Sequence, residues 1–495
     1  MTLPRLSPAL VPGLPLGVTR PSAGGAGRMA HIGMGAFHRC HQAEYAEDLA
    51  DWGIVGINLR APSLQGLAAQ GGLYTRLIRD GSRVEARVIG AVRRVVDSQA
   101  SAVPALSVLS DPAIGVVTMT VTEKGYCHHP ATGLLDLDHP DIVQDLAHPQ
   151  APRSLPGVLV RALEMRQGKP LTLISCDNIP ANGAVLKGVV IGLAERFDAG
   201  LAGWIDRNCA FPATMVDRIA PAPVAADRDW VARELGYLDE AVVVCEPYKQ
   251  WVIEERFAGL VPDWDRVGAQ FVADVEPYET LKMRVLNGAQ TTLAHLGALS
   301  GLEHTSDDMA DPVLSGFVEA MLLGETLATL RVVPGIVAET YVGQSLARLR
   351  NTAIRHRNHQ IATDGSQKIV QRLLNPIAHR LRRGQPVPLL SAALAGWMAY
   401  LIRPAARFGG QWVADDPYAV RVAAIADKVG HDAGRLVAAI LRLDGIFAPE
   451  FGGNAGFVAG LARALDGVLT GDPRVYLLGL MASGLLPQSE TAGYR

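Results

Sequence analysis

Three polar side chains stand close together in the stretch Glu279–Gly297, ETLKMRVLNGAQTTLAHLG. Leu281, Val285, Leu286, Leu293 and Leu296 recur there at helical spacing. On such a helix Lys282, Asn287 and Gln290 project from one side, within an arc of about 140° at about 100° per residue. An amine and two carboxamides on one face suit a site that handles an alcohol or ketone oxygen. A helix with a few solvated polar residues would carry the same pattern.

The elements that would position such a site occupy the first half of the chain. A short apolar segment runs into Gly33-Met-Gly35, and helical spacing follows over Ala36–Leu49. Two glycines at a strand-to-helix turn let backbone N–H groups approach a pyrophosphate. His38 takes the place of the usual third glycine, and a simple tight turn would read the same. The turn residues Ile32, Gly33, Met34, Gly35, Ala36, Phe37 and Arg39 are the expected cofactor contacts. Asn58 and Arg60 at the end of a second strand, Gly53–Leu59, join them. That strand end has no carboxylate to hold an adenosine ribose; Arg60 would meet a 2′-phosphate or face solvent.

Further strands are read at Leu73–Ile78 and Arg83–Ile89, an antiparallel pair around Asp80-Gly81, and at Ile114–Thr122 and Pro170–Ser175. Short strands follow at Phe211–Ile219, Ala241–Pro247 and Trp251–Ile253. Ligands of open α/β sheets bind beyond the carboxyl ends of the strands. Lys124, Asp177, Asn178 and Asn182 fall there, although Asp177 and Asn178 would equally serve as helix caps. After Pro277 the periodicity is helical, with almost no strands. The expected division is a Pro- and Gly-rich flexible arm (1–28), an α/β Rossmann-like domain (29–280) and an all-α domain (281–495).

Composition narrows the function classes. The chain has 495 residues, 49% hydrophobic and 19% charged, with net charge -3. There is no basic excess to bind a phosphate backbone, so no nucleic-acid partner is expected. The longest apolar run, Leu389–Ile402, is too short to span a bilayer. Five cysteines (Cys40, Cys127, Cys176, Cys209, Cys245) lack metal-type spacing. Neither a metal site nor a disulfide framework is expected, and a reducing, cytoplasmic setting fits.

Taken together, HIGMGAFHR (31–39), GLYT (72–75), TEKGY (122–126), SCDN (175–178) with Asn182-Gly183, MVDRI (215–219), EPYKQWVI (246–253) and 282–297 resemble the long-chain mannitol dehydrogenase family. The resemblance implies NAD(P)-dependent interconversion of a secondary alcohol and a ketone, without metal, on a sugar acid or polyol. It favours NAD, with NADP left open. It makes Lys282 the catalytic lysine, Asn178 and Asn287 an oxyanion-binding pair, Asp217 an active-site aspartate and Lys368 a substrate contact. EKGYC (123–127), LDLD (135–138), APRS (151–154) and QIATDGSQK (360–368) are most similar to the branch that interconverts D-fructuronate and D-mannonate. There Lys124 and Gln360 would replace a glycine and an arginine of the mannitol branch. Gln290 stands where the family has histidine, which keeps open a polyol dehydrogenase or a cofactor-binding protein with impaired chemistry.

Ketone reduction needs a hydride on carbon and a proton on oxygen. A free lysine, with a pKa of about 10.4, is poorly matched to neutral pH, and burial is the expected means of lowering it. Each asparagine donor to a developing alkoxide would contribute roughly 3 kcal/mol.

Overall fold

The computed structural model describes residues 3–22, 24–60, 64–129, 132–166, 168–402 and 414–483. The chain divides into two compact units, Met1–Glu276 and Pro277–Arg495. A boundary after residue 280 would cut the helix Glu276–Arg284.

The first unit is built on a five-stranded parallel sheet. Its spatial order is Val92–Asp97, Trp52–Asn58, Ala26–Ile32, Val116–Met119, Thr172–Ser175. Strand order therefore reverses between Ala26–Ile32 and Val116–Met119. Val116–Met119 and Thr172–Ser175 are buried throughout, as strands covered on both faces must be. A second sheet holds Val18–Thr19, Arg83–Ile89, Tyr74–Asp80 and Val243–Cys245. Its central pair is the expected hairpin, registered from Tyr74↔Ile89 to Asp80↔Arg83. The third sheet holds Gln270–Val272, Gln250–Glu254 and Thr214–Asp217.

The flexible arm is corrected. Leu6 and Leu14 are buried, Leu6 N donates to Leu238 O, and Val18–Thr19 pairs with Arg83–Ile89. A few apolar anchors in a Pro- and Gly-rich segment suffice to dock it. The expected helix Ala36–Leu49 is also broken: Ala36–Cys40 and Gln42–Leu49 meet at His41, whose φ of -125° and ψ of -90° are not helical.

The second unit contains no strand among its described residues. Its core is the helix Pro388–Ile402, buried from Leu389 to Leu401. That helix packs against Leu286–Leu299 and Ala455–Thr470. Among the described residues no helix is long and apolar enough to cross a membrane.

Candidate functional site

In the first unit the candidate residues gather where strand order reverses. Gly33 has φ +95°, and a Cβ there would lie 2.0 Å from Thr120 O, so only glycine lets the turn pass. Gly35, with φ -67°, meets nothing within 4 Å of an added Cβ. No described residue packs against that side, which fits close approach of a pyrophosphate to the backbone. His31 pins the turn from below: Nδ1 pairs with Thr118 Oγ1 (2.7 Å), and Nε2 lies 3.1 Å from Gly33 O and 3.0 Å from Thr120 Oγ1. Burial holds its imidazole neutral, with the pKa lowered to about 3. His38 stacks on it, ring centroids 3.4 Å apart.

The other expected cofactor contacts separate into backbone and side-chain roles. Ile32, Met34 and Asn58 are buried, with Met34 filling the space over Gly56. The Ala36 backbone opens the short helix, and Phe37 stacks on His41. The Arg39 guanidinium is buried, donates to Ala241 O and lies over the Tyr74 ring. Arg60 donates to Asp141 Oδ2 at 2.5 Å.

Beyond the next two strands, Asp177 is neither a free catalytic acid nor a helix cap. Its carboxylate accepts from Val121 N (2.9 Å), Thr122 N (3.1 Å) and Tyr126 Oη (2.7 Å). Burial raises its pKa and these donors oppose the rise. The clamped loop includes Thr122 at φ +64° and exposes Lys124. Asn182 is buried and joins two strand ends: Nδ2 donates to Asp177 O (3.1 Å) and Thr214 O (2.9 Å), while Oδ1 accepts from Thr214 N (2.9 Å). The two remaining residues at this edge are the exposed Asn178 and the buried Asp217, the last residue of Thr214–Asp217.

Sequence spacing missed two constellations. Glu44 lies among Arg76, Arg218 and Lys249, and its pKa is held down to about 2 against the cost of burial. Ligand atoms of Cys127, His139 and Asp141 lie within 4.8 Å of one another, although the cysteine spacing gave no hint of a metal-type cluster. In the protein as it stands, Arg60 engages Asp141, and His139 Nδ1 accepts from Asp141 N.

In the second unit, Lys282 and Asn287 lie on either side of a one-residue irregularity at Val285 (φ -86°, ψ -75°). Helical bonding continues through it, from Val285 N to Leu281 O and Ala289 N to Val285 O. Lys282 is 4% exposed and Asn287 6%, whereas Gln290 is half-buried. Asn287 Nδ2 reaches Met283 Sδ at 3.6 Å. Arg372 Nη1 bonds Thr291 Oγ1 (2.8 Å), tying this helix to the segment that follows Lys368. Lys368 Nζ donates to Ile361 O (3.0 Å) and Thr363 O (2.5 Å), so the ammonium braces its own loop. Gln360 is exposed on the short helix Asn358–Ala362. His295 is buried edge-on to Tyr400. Burial, then Lys368, lowers its pKa to about 3.

Residues 27–266 match the mannitol dehydrogenase Rossmann domain, and residues 274–469 match the mannitol dehydrogenase C-terminal domain. The chain belongs to the mannitol dehydrogenase family. It is an oxidoreductase of that family, with the Rossmann-type and helical halves described above. D-mannonate oxidoreductase of Escherichia coli (strain K12) is 40% identical over 450 residues, 88% of this chain and 92% of that protein. Mannitol 2-dehydrogenase of Cereibacter sphaeroides is 36% identical over 384 residues, 75% of this chain and 80% of that protein. Among solved structures, Pseudomonas fluorescens mannitol 2-dehydrogenase in a ternary complex with NAD and D-mannitol aligns with TM-score 0.89 and 31% identity. The alignment covers 97% of this chain and all of that one.

Proposed function

We propose that this family member reduces a keto-uronate to an aldonate with NADH, D-fructuronate + NADH + H⁺ ⇌ D-mannonate + NAD⁺. The observation that carries this reading is the 40% identity to D-mannonate oxidoreductase over 92% of that protein's length. The NAD ternary complex of the structural relative supports the choice of dinucleotide. Bound NADH supplies the hydride. The Gly33–Ala36 turn would receive its pyrophosphate, with the open side of Gly35 admitting the close approach.

The chain's own residues then handle the oxygen. Lys282 is the proposed proton carrier, the one amine on the 282–290 helical face and almost wholly shielded from water. Asn178 and Asn287 are the proposed donors to the developing alkoxide, and Asp217 an accompanying acid. Lys124 and Lys368 are proposed to meet the substrate carboxylate and hydroxyls, with Gln290 and Gln360 as neutral hydrogen-bonding neighbours. Gln290 can donate and accept a hydrogen bond but cannot take up a proton, so proton transfer rests on the lysine.

The test is NADH oxidation by the purified protein with D-fructuronate and with fructose. Faster turnover of fructuronate, measured as kcat/KM, supports the proposal. Preference for fructose would favour a mannitol dehydrogenase, the reading suggested by the mannitol 2-dehydrogenase relatives. NADH binding without turnover of either would point to impaired chemistry around Gln290.

A further inference from the structure

At the end of the second Rossmann strand, the usual place of the ribose-binding acid, the sequence offers only Arg60. The fold supplies an acid from elsewhere. Asp141 lies in the first turn of the helix Pro140–Ala147, and its Oδ2 accepts from Arg60 Nη2 at 2.5 Å. The same Nη2 lies 3.3 Å from Arg153 O. We infer that Asp141 is a specificity-determining residue for the dinucleotide: by occupying Arg60 it turns an apparent 2′-phosphate site into one that prefers a free 2′-hydroxyl.

The pair has little to do for stability. The Arg60 side chain is 58% exposed and that of Asp141 24%, and an ion pair of that exposure contributes about 0–1 kcal/mol. The helix N-terminus is already capped by His139, whose Nδ1 accepts from Asp141 N. What the pair does change is the charge offered to a ligand. An adenosine 2′-phosphate would bring roughly -1.5 to -2 charge to an arginine already neutralised, beside a carboxylate. The surroundings are acidic as well. The buried Cys127 thiol is pushed up to about 12, by burial first and then by Asp141, with Asp145 and Asp136 adding to it and Arg60 alone opposing. An uncharged 2′-hydroxyl meets no such repulsion and can donate to a carboxylate oxygen.

The inference rests on the nicotinamide-cofactor reading above but not on any sugar substrate. It is therefore tested by binding: fluorescence titration of NADH and NADPH, without substrate, against the wild type, Asp141→Asn, Arg60→Ala and the double variant. The wild type should bind NADH more tightly. Asp141→Asn should tighten NADPH by about tenfold, equivalent to about 1.4 kcal/mol, while NADH shifts less than about twofold. The double variant should lose that gain, because the freed guanidinium is its source. Arg60→Ala alone should leave NADPH weak. An unchanged NADPH/NADH ratio in Asp141→Asn, equal shifts for both dinucleotides, or a gain that survives Arg60→Ala would overturn the inference. Should Asp141→Asn fail to fold, Asp141→Ser keeps a small polar side chain at the same helix position, with the same expected shift. If neither dinucleotide bound any variant, the nicotinamide reading itself would fall, and the inference with it.

Discussion

Asp177 sits on a loop at the edge of the parallel sheet, whereas Asn287 sits on a helix that satisfies its own backbone. The loop is full of obligations. Val121 N and Thr122 N have no strand or helix partner, so Asp177 accepts from both and from Tyr126 Oη. Asn182 does similar work between the 177 and 214 strand ends. On the helix the backbone N–H groups from Ala289 onward have their i−4 carbonyls. Lys282 and Asn287 are buried there, and Asn287 Nδ2 reaches a side chain, Met283 Sδ. Polar residues at the sheet edge thus hold the loop's shape, and Lys282 and Asn287 on the helix are the ones to which the chemistry is proposed to fall.

That contrast can be broken by mutation. Asp177→Ala should cost about 3 kcal/mol, because it strands two N–H groups in a partly buried loop and leaves the Tyr126 phenol to Ser175 Oγ. Chemical denaturation measures it, with Asp177→Asn, which keeps an acceptor, losing less. An Asp177→Ala protein as stable as the wild type would deny the clamp.

Asp308 supplies a pH-dependent effect, read as a slope in stability. It is a buried carboxyl on a short helix, Thr305–Ala310; Asn358 Nδ2 donates to Oδ1 at 2.9 Å and Oδ2 has no partner among the described residues. Burial, opposed by Asn358, raises its pKa from 3.8 to about 8. The folded state therefore holds a proton that the unfolded chain releases. The contribution to stability is full below pH 3.8 and is lost as pH rises to about 8. Asp308→Asn should flatten the melting temperature over that window; an unchanged slope would show that Asp308 titrates normally.

Lys124 is exposed, and Lys124→Gly should change stability by less than about 0.5 kcal/mol. Its effect should appear in specificity: kcat/KM for fructuronate falls by about thirtyfold, or about 2 kcal/mol, while that for fructose holds or rises. An equal fall for both substrates would assign Lys124 to loop structure.

Much of this organisation was legible because it is periodic. Alternation around Asp80-Gly81 announced the hairpin, and β-branched runs announced the buried parallel strands. The apolar run Leu389–Ile402 was legible as a buried helix. Single anchors were not: Leu6 and Leu14 are lost in a Pro- and Gly-rich background. Pairings across long separations were equally hidden. Arg60 and Asp141 are 81 residues apart, and nothing local distinguishes a solvent-facing arginine from a paired one. Arg39 sits inside a cofactor-like motif, yet its guanidinium serves Ala241 O, a partner 202 residues away. Motif position does not by itself identify each side chain's task.

The division of labour is tested most directly by the turnover number of Lys282→Ala with saturating NADH and D-fructuronate, read beside its melting temperature and NADH affinity. The predicted result is loss of turnover by at least about a thousandfold, or about 4 kcal/mol in the barrier, with folding and NADH binding close to wild type. A variant that turns over at the wild-type rate would contradict the assignment of the chemistry to the helix.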